Sequence, residues 1–291
     1  MSRAPEGGGE RPKRHRRFLE AVAPALGLVD AAGEPVPADG QARQRLDARE
    51  ERRQRTLGQI AALTRRALDG RMGDGVPSAM WLDRFLAVAE DAHDPVVQRV
   101  LARLLAAETL RPGSIGLRTL WQLGTMDAGD LERFRKLAQF AIGNFVLRLK
   151  EKFFEGHGLE AEDLFHFEET GLLRSGGSNV KNFPSQVEDR FQTHLLLGDR
   201  VLRVTAPDAA KRLVLPCHRL TSAGADIAEA MMLPVVNDYI TQIVDFLEKR
   251  GYAVAHASII ERGDRNTVTR HSRFSDIVSW DRARAARRRK R

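Results

Sequence analysis

The 291-residue sequence predicts a mainly α-helical protein with a small antiparallel β part, a helical bundle coming first and the strands after it. Three observations predict this. Between residues 57 and 150 apolar side chains recur at three- and four-residue spacing, the repeat of one helix face. Capping residues stand where these patterns begin, at Ser78, at Asp94 followed by Pro95, and at Asp127. Beyond Gly158 the repeat shortens to alternation in FQTHLLL (191–197) and RVLRVT (200–205), which flank Gly198-Asp199, a hairpin turn with glycine first.

Residues 1–40 are rich in glycine, proline and charge, and are expected to be flexible apart from a short helix near 16–28. A basic amphipathic helix follows over 41–70, with Leu57, Ile60, Ala61, Thr64 and Leu68 on one stripe and an arginine-rich first half that is polar all round. GRMGDGVPS (70–78) ends it and serves as a linker. The bundle occupies 78–156. Ser78 caps a helix carrying Leu82, Phe85, Leu86 and Ala89, and Asp94-Pro95 opens one in which Val97, Val100, Leu101, Leu104 and Leu105 keep the helical repeat in full. After the RPGS corner, Leu117, Leu120, Trp121 and Leu123 pack a short helix. Asp127, with Asp130 three residues on, opens a helix predicted to run to about 150; being apolar on most sides from Leu137 to Leu149, it is placed at the buried centre.

A second, α+β domain is expected over 159–262: a helix at 160–170, the hairpin, and a third strand in KRLVLPCHRLT (211–221), where Pro216 fits best at a sheet edge. Helices at 222–232 and 234–250 and an extended stretch at 252–261 complete it, and residues 263–291 form a basic tail.

The net charge of +8 sits at the ends. Residues 1–20 carry +3 and residues 281–291 carry +6, so the middle sums to −1. Clusters such as Arg14, Arg16 and Arg17, and Arg287, Arg288, Arg289, Lys290 and Arg291, commonly meet RNA, DNA or acidic surfaces nonspecifically. The one basic stretch of the middle, 41–66, holds eight basic and three acidic residues. The single cysteine, Cys217, excludes a disulfide framework and fits a reducing cytoplasm. No apolar run approaches the roughly 20 residues a membrane helix needs. RHRRFL lacks the spacer of a twin-arginine export signal, so a cytoplasmic location is expected.

The corner Glu108, Pro112, Gly113, Ser114, Arg118 is the first candidate site. As a helix-turn-helix it would present Arg118 and Gln122 from the second helix. The connection is longer than that motif's usual turn, and the second helix is committed to packing. Ser114 as an N-cap, Pro112-Gly113 as a helix stop, and a buried Glu108–Arg118 pair account for it as structure. The second candidate is the acidic helix with Glu160, Glu162, Asp163, Glu168 and Glu169. Capping explains the first three, but Glu168 and Glu169 lie near the carboxyl end, where the helix dipole disfavours them. They point to a basic partner, either the chain's own 43–55 segment or a second copy. No histidines show metal spacing, Cys217-His218 is an isolated pair, His166 between two phenylalanines reads as half-buried, and SGGSN (175–179) lacks a phosphate loop's lysine. No cofactor is expected.

Two resemblances add to this. The helix ending Gly171-Leu172-Leu173, the hairpin, and LTSAGADI with Leu220, Thr221, Gly224 and Ile227 resemble a winged-helix domain over about 160–232. The acidic helix stands in its recognition position, where five carboxylates would oppose approach to phosphates, so a degenerate, protein-binding wing is implied. Residues 80–134 resemble the uncharacterised bacterial family numbered domain of unknown function 2806. Trp81, Phe85, Leu105, Ala106, Glu108, Pro112, Gly113, Ser114, Arg118, Thr119 and Leu120 carry the match, which extends over most of 45–250. One departure is Val100-Leu101, where relatives tend to have Leu-Trp. A similar bundle occurs in a family associated with abortive phage infection. Neither resemblance brings a known active site. The function expected is a non-enzymatic interaction or regulatory module, with phage defence as its setting and protein, self or other, as its partner. The alternatives are a nucleic-acid-binding regulator using the basic tails and the 43–66 helix, and an enzyme whose site forms only in the fold.

Overall fold

A computed structural model of the chain describes residues 22–276, apart from residues 31, 72, 74, 177, 178 and 263–267. Residues 22–40, within the segment expected to be flexible, form a turned strap in their described part. Ala23 is buried, Val29 bridges Pro35, and Arg45 Nη1 of the following helix donates to the Leu26 carbonyl at 3.2 Å. Helix α1 (Gln41–Leu68) buries only Thr56, Ile60 and Thr64, one residue per turn of its second half, and ends at Asp69 in a left-handed conformation.

The predicted caps form. Ser78 accepts the Trp81 N–H at 3.3 Å to open α2 (Ala79–Ala89), and Asp94 accepts from Val96 at 2.6 Å to open α3 (Pro95–Leu110) with proline in the first turn. Helix α4 (Leu117–Gly124) follows the corner, and Asp127 and Asp130 bond reciprocally at the start of α5 (Ala128–Ala138). Trp81 stacks on Phe85 at 5.2 Å and donates its indole N–H to the Ile115 carbonyl at 2.9 Å, which fixes α2 against the corner.

The expected long helix at 128–150 is not formed. It stops at Ala138, the chain turns with Gly143 at φ +58°, and residues 145–147 become β1 (Phe145–Leu147), buried along its whole length. A run that is apolar on all sides suits a fully buried strand as well as a buried helix, and periodicity does not separate the two. Helices α6 (Glu151–Glu155) and α7 (Ala161–Glu169) come next, then β2 (Val180–Phe183), β3 (Phe191–Leu197), β4 (Arg200–Ala206) and β5 (Leu213–Arg219). Helices α8 (Ser222–Met231) and α9 (Asn237–Glu248) precede β6 (Ala253–Arg262), β7 (Val268–His271) and β8 (Ser275–Asp276).

These strands make two antiparallel sheets, one in the order β1-β5-β2 and one in the order β3-β4-β6-β7 with β8 also paired to β6. The protein is therefore mixed α/β, not mainly α with a small β part, and the winged-helix expectation falls with the topology. The predicted hairpin exists as β3–β4 but takes β6 as its neighbour, while β5, the strand that runs into Leu220-Thr221, belongs to the other sheet. The Thr-x-x-Gly match has a local cause. Thr221 Oγ1 accepts the Gly224 N–H at 3.0 Å to cap α8, and a Cβ at Gly224 would overlap the Leu172 carbonyl oxygen. Pro216 lies not on an edge strand but on the central β5. It is tolerated because its carbonyl accepts the Arg148 N–H at 2.9 Å one residue past the end of β1, so its missing N–H falls where that ladder stops.

One contiguous core runs from Ile60 on α1 through Phe134, Phe140 and Phe167 to Leu202 and Val254 in the larger sheet. Helix α8 packs on α3, α4 and α5, and Arg103 of α3 donates to the Ala230 and Met231 carbonyls at its end, at 2.8 and 2.9 Å. Among the described residues no helix is long and apolar enough to cross a membrane.

Candidate functional site

At the corner the organising side chain is Glu108, only 2% exposed. Its carboxylate accepts the Gly113 N–H at 2.6 Å and the Ile115 N–H at 2.9 Å. Pro112 and Gly113, at φ +82°, make the turn that brings those amides round. Two expectations are corrected. Ser114 is not the N-cap of α4, a position held by Gly116; its hydroxyl donates to the Ala107 carbonyl at 3.3 Å instead. Arg118 is exposed and forms no ion pair with Glu108, because backbone amides already fill the carboxylate. Nor is α4 fully committed to packing: Trp121 is 69% exposed and Leu117 lies on the same side, while Gln122 is buried.

The acidic helix divides into two functions. Asp163 is buried, accepts the Glu160 N–H at 3.0 Å and pairs with Arg133 Nε at 2.9 Å, so Glu160 and Asp163 belong to the start of α7 and its seat on α5. Glu162 and Glu169 are exposed, and Glu168 is half-buried. Between Glu162 and Glu169, at helical spacing, Phe165 is 68% exposed. His166 is half-buried, as expected, with Nε2 3.3 Å from Asp130.

Four of the eight arginines of α1 meet partners within the molecule, although only Arg53 is part-buried. Arg53 makes two bonds to Asp91 at 3.1 Å and reaches Glu90 at 3.2 Å, Arg49 lies 3.7 Å from Asp91, and Arg43 lies 3.9 Å from Asp47. The Arg53 hydrogen bond, partly opposed by desolvation, holds the Asp91 carboxyl below its usual range. The tail residues Arg14, Arg16, Arg17, Arg287, Arg288, Arg289, Lys290 and Arg291 lie outside the described residues.

Within the smaller sheet Cys217 and His218, adjacent in sequence, point to opposite faces: Cys217 pairs with Leu147 and His218 with Val146. They do not act together. Burial raises the Cys217 thiol, and burial followed by the Arg148 charge pushes the His218 imidazole down to about 4. Among the described residues no three His, Cys, Asp or Glu side chains converge as metal ligands.

A group that sequence reasoning missed lies on the outer face of the larger sheet. Register puts Gln192 and His194 of β3, Thr205 and Arg203 of β4, and Ala253 and Ala255 of β6 on one face. Phe274, just before β8, lies under the Arg203 guanidinium at 4.3 Å from its ring centre, with the His271 ring at 4.6 Å and His194 at 6.1 Å. His194 Nδ1 is 2.6 Å from Gln186 Oε1; burial first, then the Arg203 and His271 charges, lower its pKa. The alternation of FQTHLLL and RVLRVT does put His194 and Arg203 on the polar side, but nothing local ties them to residues 271 and 274.

No curated protein and no solved structure matches the chain. A family model described as a protein of unknown function (DUF2806) matches residues 40–244, which takes in the corner, α7, both strands of the hairpin and most of α9, and leaves β6–β8 beyond it. That match covers well over half of the chain, in agreement with the corner residues Trp81, Phe85, Glu108 and Pro112-Gly113-Ser114, and the chain belongs to the DUF2806 family.

Proposed function

We propose that the protein is a non-enzymatic interaction and regulatory module, with the outer face of α7 as its protein contact and a second copy of the chain as the partner that fits first. The carrying observation is Phe165, 68% exposed between Glu162 and Glu169. A large aromatic left in water beside carboxylates suits a surface that is both apolar and basic, and aromatic anchors supply much of the energy at such contacts. The first half of α1 offers both qualities: Leu46 is 65% exposed, with the exposed Arg43 and Arg49 three residues to either side on the same face. An α7-to-α1 contact made twice across a two-fold axis closes a dimer. The sequence resemblance to abortive-infection proteins suggests host defence against phage as the setting.

The test is solution mass by sedimentation at low and high salt. The wild-type chain is expected to dimerise, more weakly as salt rises, and Phe165→Ala with Glu169→Lys to give a monomer of unchanged melting temperature. A wild-type chain that is monomeric at every concentration, or a double variant that keeps the dimer mass, overturns the reading.

A further inference from the structure

We propose that the smaller sheet binds a phosphate group at the end where β1 and β2 begin and β5 finishes, with Lys181 and Arg219 supplying the charge and Asn144 a neutral donor.

The first support is placement. Arg219 pairs with Phe145, and Lys181 with Leu215 further back along β5, so alternation puts both cations on the face of the sheet that also carries Cys217. Lys181 leans across β5 toward β1. Its Nζ donates to Asn144 Oδ1 and lies 4.8 Å from the centre of the Phe145 ring, with the Phe183 ring at 5.6 Å. Phe145 is buried and is the cross-strand neighbour of Arg219, so both residues flank one apolar ring. Cys217, between Leu215 and Arg219, is buried and burial raises its thiol, so it stays a neutral part of that floor.

The second support is charge that the fold leaves unanswered. The Arg219 side chain has no ion pair and no hydrogen-bond acceptor among the described residues, and its Nε is shut off from water. The acceptor that Lys181 meets is the neutral Asn144. Burial first, then the Arg219 charge, holds the Lys181 ammonium below its usual pKa, and no carboxylate opposes them. The π faces of Phe145 and Phe183 account for Lys181 as a structural group, but they leave Arg219 unexplained. Two like charges gathered in a half-buried place are unfavourable, and a dianion between them relieves both.

The third support is the chemistry of the donors. The two residues carry the charge that matches a phosphate dianion, Arg219 as a planar fork and Lys181 as a compact ammonium. With its oxygen held by Lys181, the Asn144 carboxamide keeps both N–H donors, which meet no acceptor among the described residues. Arg174, exposed, donates its backbone N–H to the Arg219 carbonyl at 2.8 Å and adds a third cation at the rim. Lys181 and Arg219 are open enough to be reached from water and dry enough for charge to count.

The experiment is isothermal titration calorimetry of the full chain with inorganic phosphate, and separately with a nucleoside monophosphate, at ionic strength held constant with chloride. The wild-type chain is expected to bind at least one of them, the tighter naming free or esterified phosphate as the source, and to bind acetate about tenfold more weakly or worse for its single charge. Lys181→Gln and Arg219→Gln are each expected to weaken phosphate binding about tenfold or more, the loss of one charge-assisted hydrogen bond, and Arg219→Lys to recover part of it. In chloride alone Lys181→Gln melts within a few degrees of wild type, because the repulsion it removes offsets the bond it loses. Added phosphate raises the melting temperature of the wild type and not of this variant. If neither phosphate compound binds, if acetate binds as tightly, or if Lys181→Gln keeps wild-type affinity, the proposal is overturned.

Discussion

Helix α1 and the outer face of the larger sheet make different use of positive charge. Helix α1 carries eight arginines: Arg49 and Arg53 close on Glu90 and Asp91, Arg43 leans on Asp47, and Arg45 is bonded to the Leu26 carbonyl, while Arg52, Arg55, Arg65 and Arg66 stay exposed. The sheet face carries one arginine with no counter-charge among the described residues. A dense basic run in a sequence measures how much charge is present. What marks an anion site is the charge the fold leaves over, and that quantity exists only once partners from distant segments have been brought in or kept out.

The same contrast, between charge answered inside the fold and charge left outside, can be broken at three points. The largest effect belongs to Glu108, a buried carboxylate answered by two backbone amides, with the Ser114 hydroxyl 3.4 Å away. Glu108→Ala leaves the Gly113 and Ile115 amides without their acceptor and is expected to cost about 2–4 kcal/mol, read as a shift in the denaturation midpoint. Arg118→Ala on the same corner is expected to stay within about 0.5 kcal/mol, since the side chain is exposed. Equal losses from the two would restore the Glu108–Arg118 pair that the geometry denies.

The second point is His218. Burial and Arg148 hold its folded pKa at about 4, against about 6.5 in an unfolded chain. Between those values the unfolded chain binds the extra proton, so stability is complete above about pH 6.5 and declines as pH falls toward 4. Thermal melts across that range should show the decline, and His218→Gln should flatten it. A variant with the wild-type pH profile would move the effect to other groups, His194 first, since it is lowered too.

The smallest effect is expected at Arg53. Its bonds to Asp91 and Glu90 lie at the surface, so Arg53→Ala should lower the melting temperature slightly, and less as salt is added. A loss that persists in high salt would mean that the α1 charges hold the helix in place and do not merely solvate it.

Local chemistry was legible in the sequence. Ser78, Asp94-Pro95 and Asp127 cap where their spacing predicts, and Gly198-Asp199 turns the hairpin. What failed was whatever depended on partners far along the chain. The 137–149 run was apolar all round, which is equally a buried helix or a buried strand, and only β5, some seventy residues later, makes β1 a strand. Pro216 suggested an edge because the end of β1, where its missing N–H falls, could not be foreseen. Trp121 and Leu117 kept helical spacing with Leu120, yet the core took only Leu120 and Leu123. For the acidic helix, composition showed five carboxylates but not that Asp163 turns inward to Arg133 or that Phe165 faces water.

Arg103 closes the end of a helix encoded 127 residues after it. A ribosome working at about 5–20 residues per second therefore takes on the order of ten seconds to deliver α8 once Arg103 has been made. Through that interval the faces of α3, α4 and α5 that α8 will cover wait without their lid. The order of synthesis, more than the final structure, is then the period in which this chain is most exposed to wrong partners, and a slower stretch of message between Gly198 and Met232 would lengthen it.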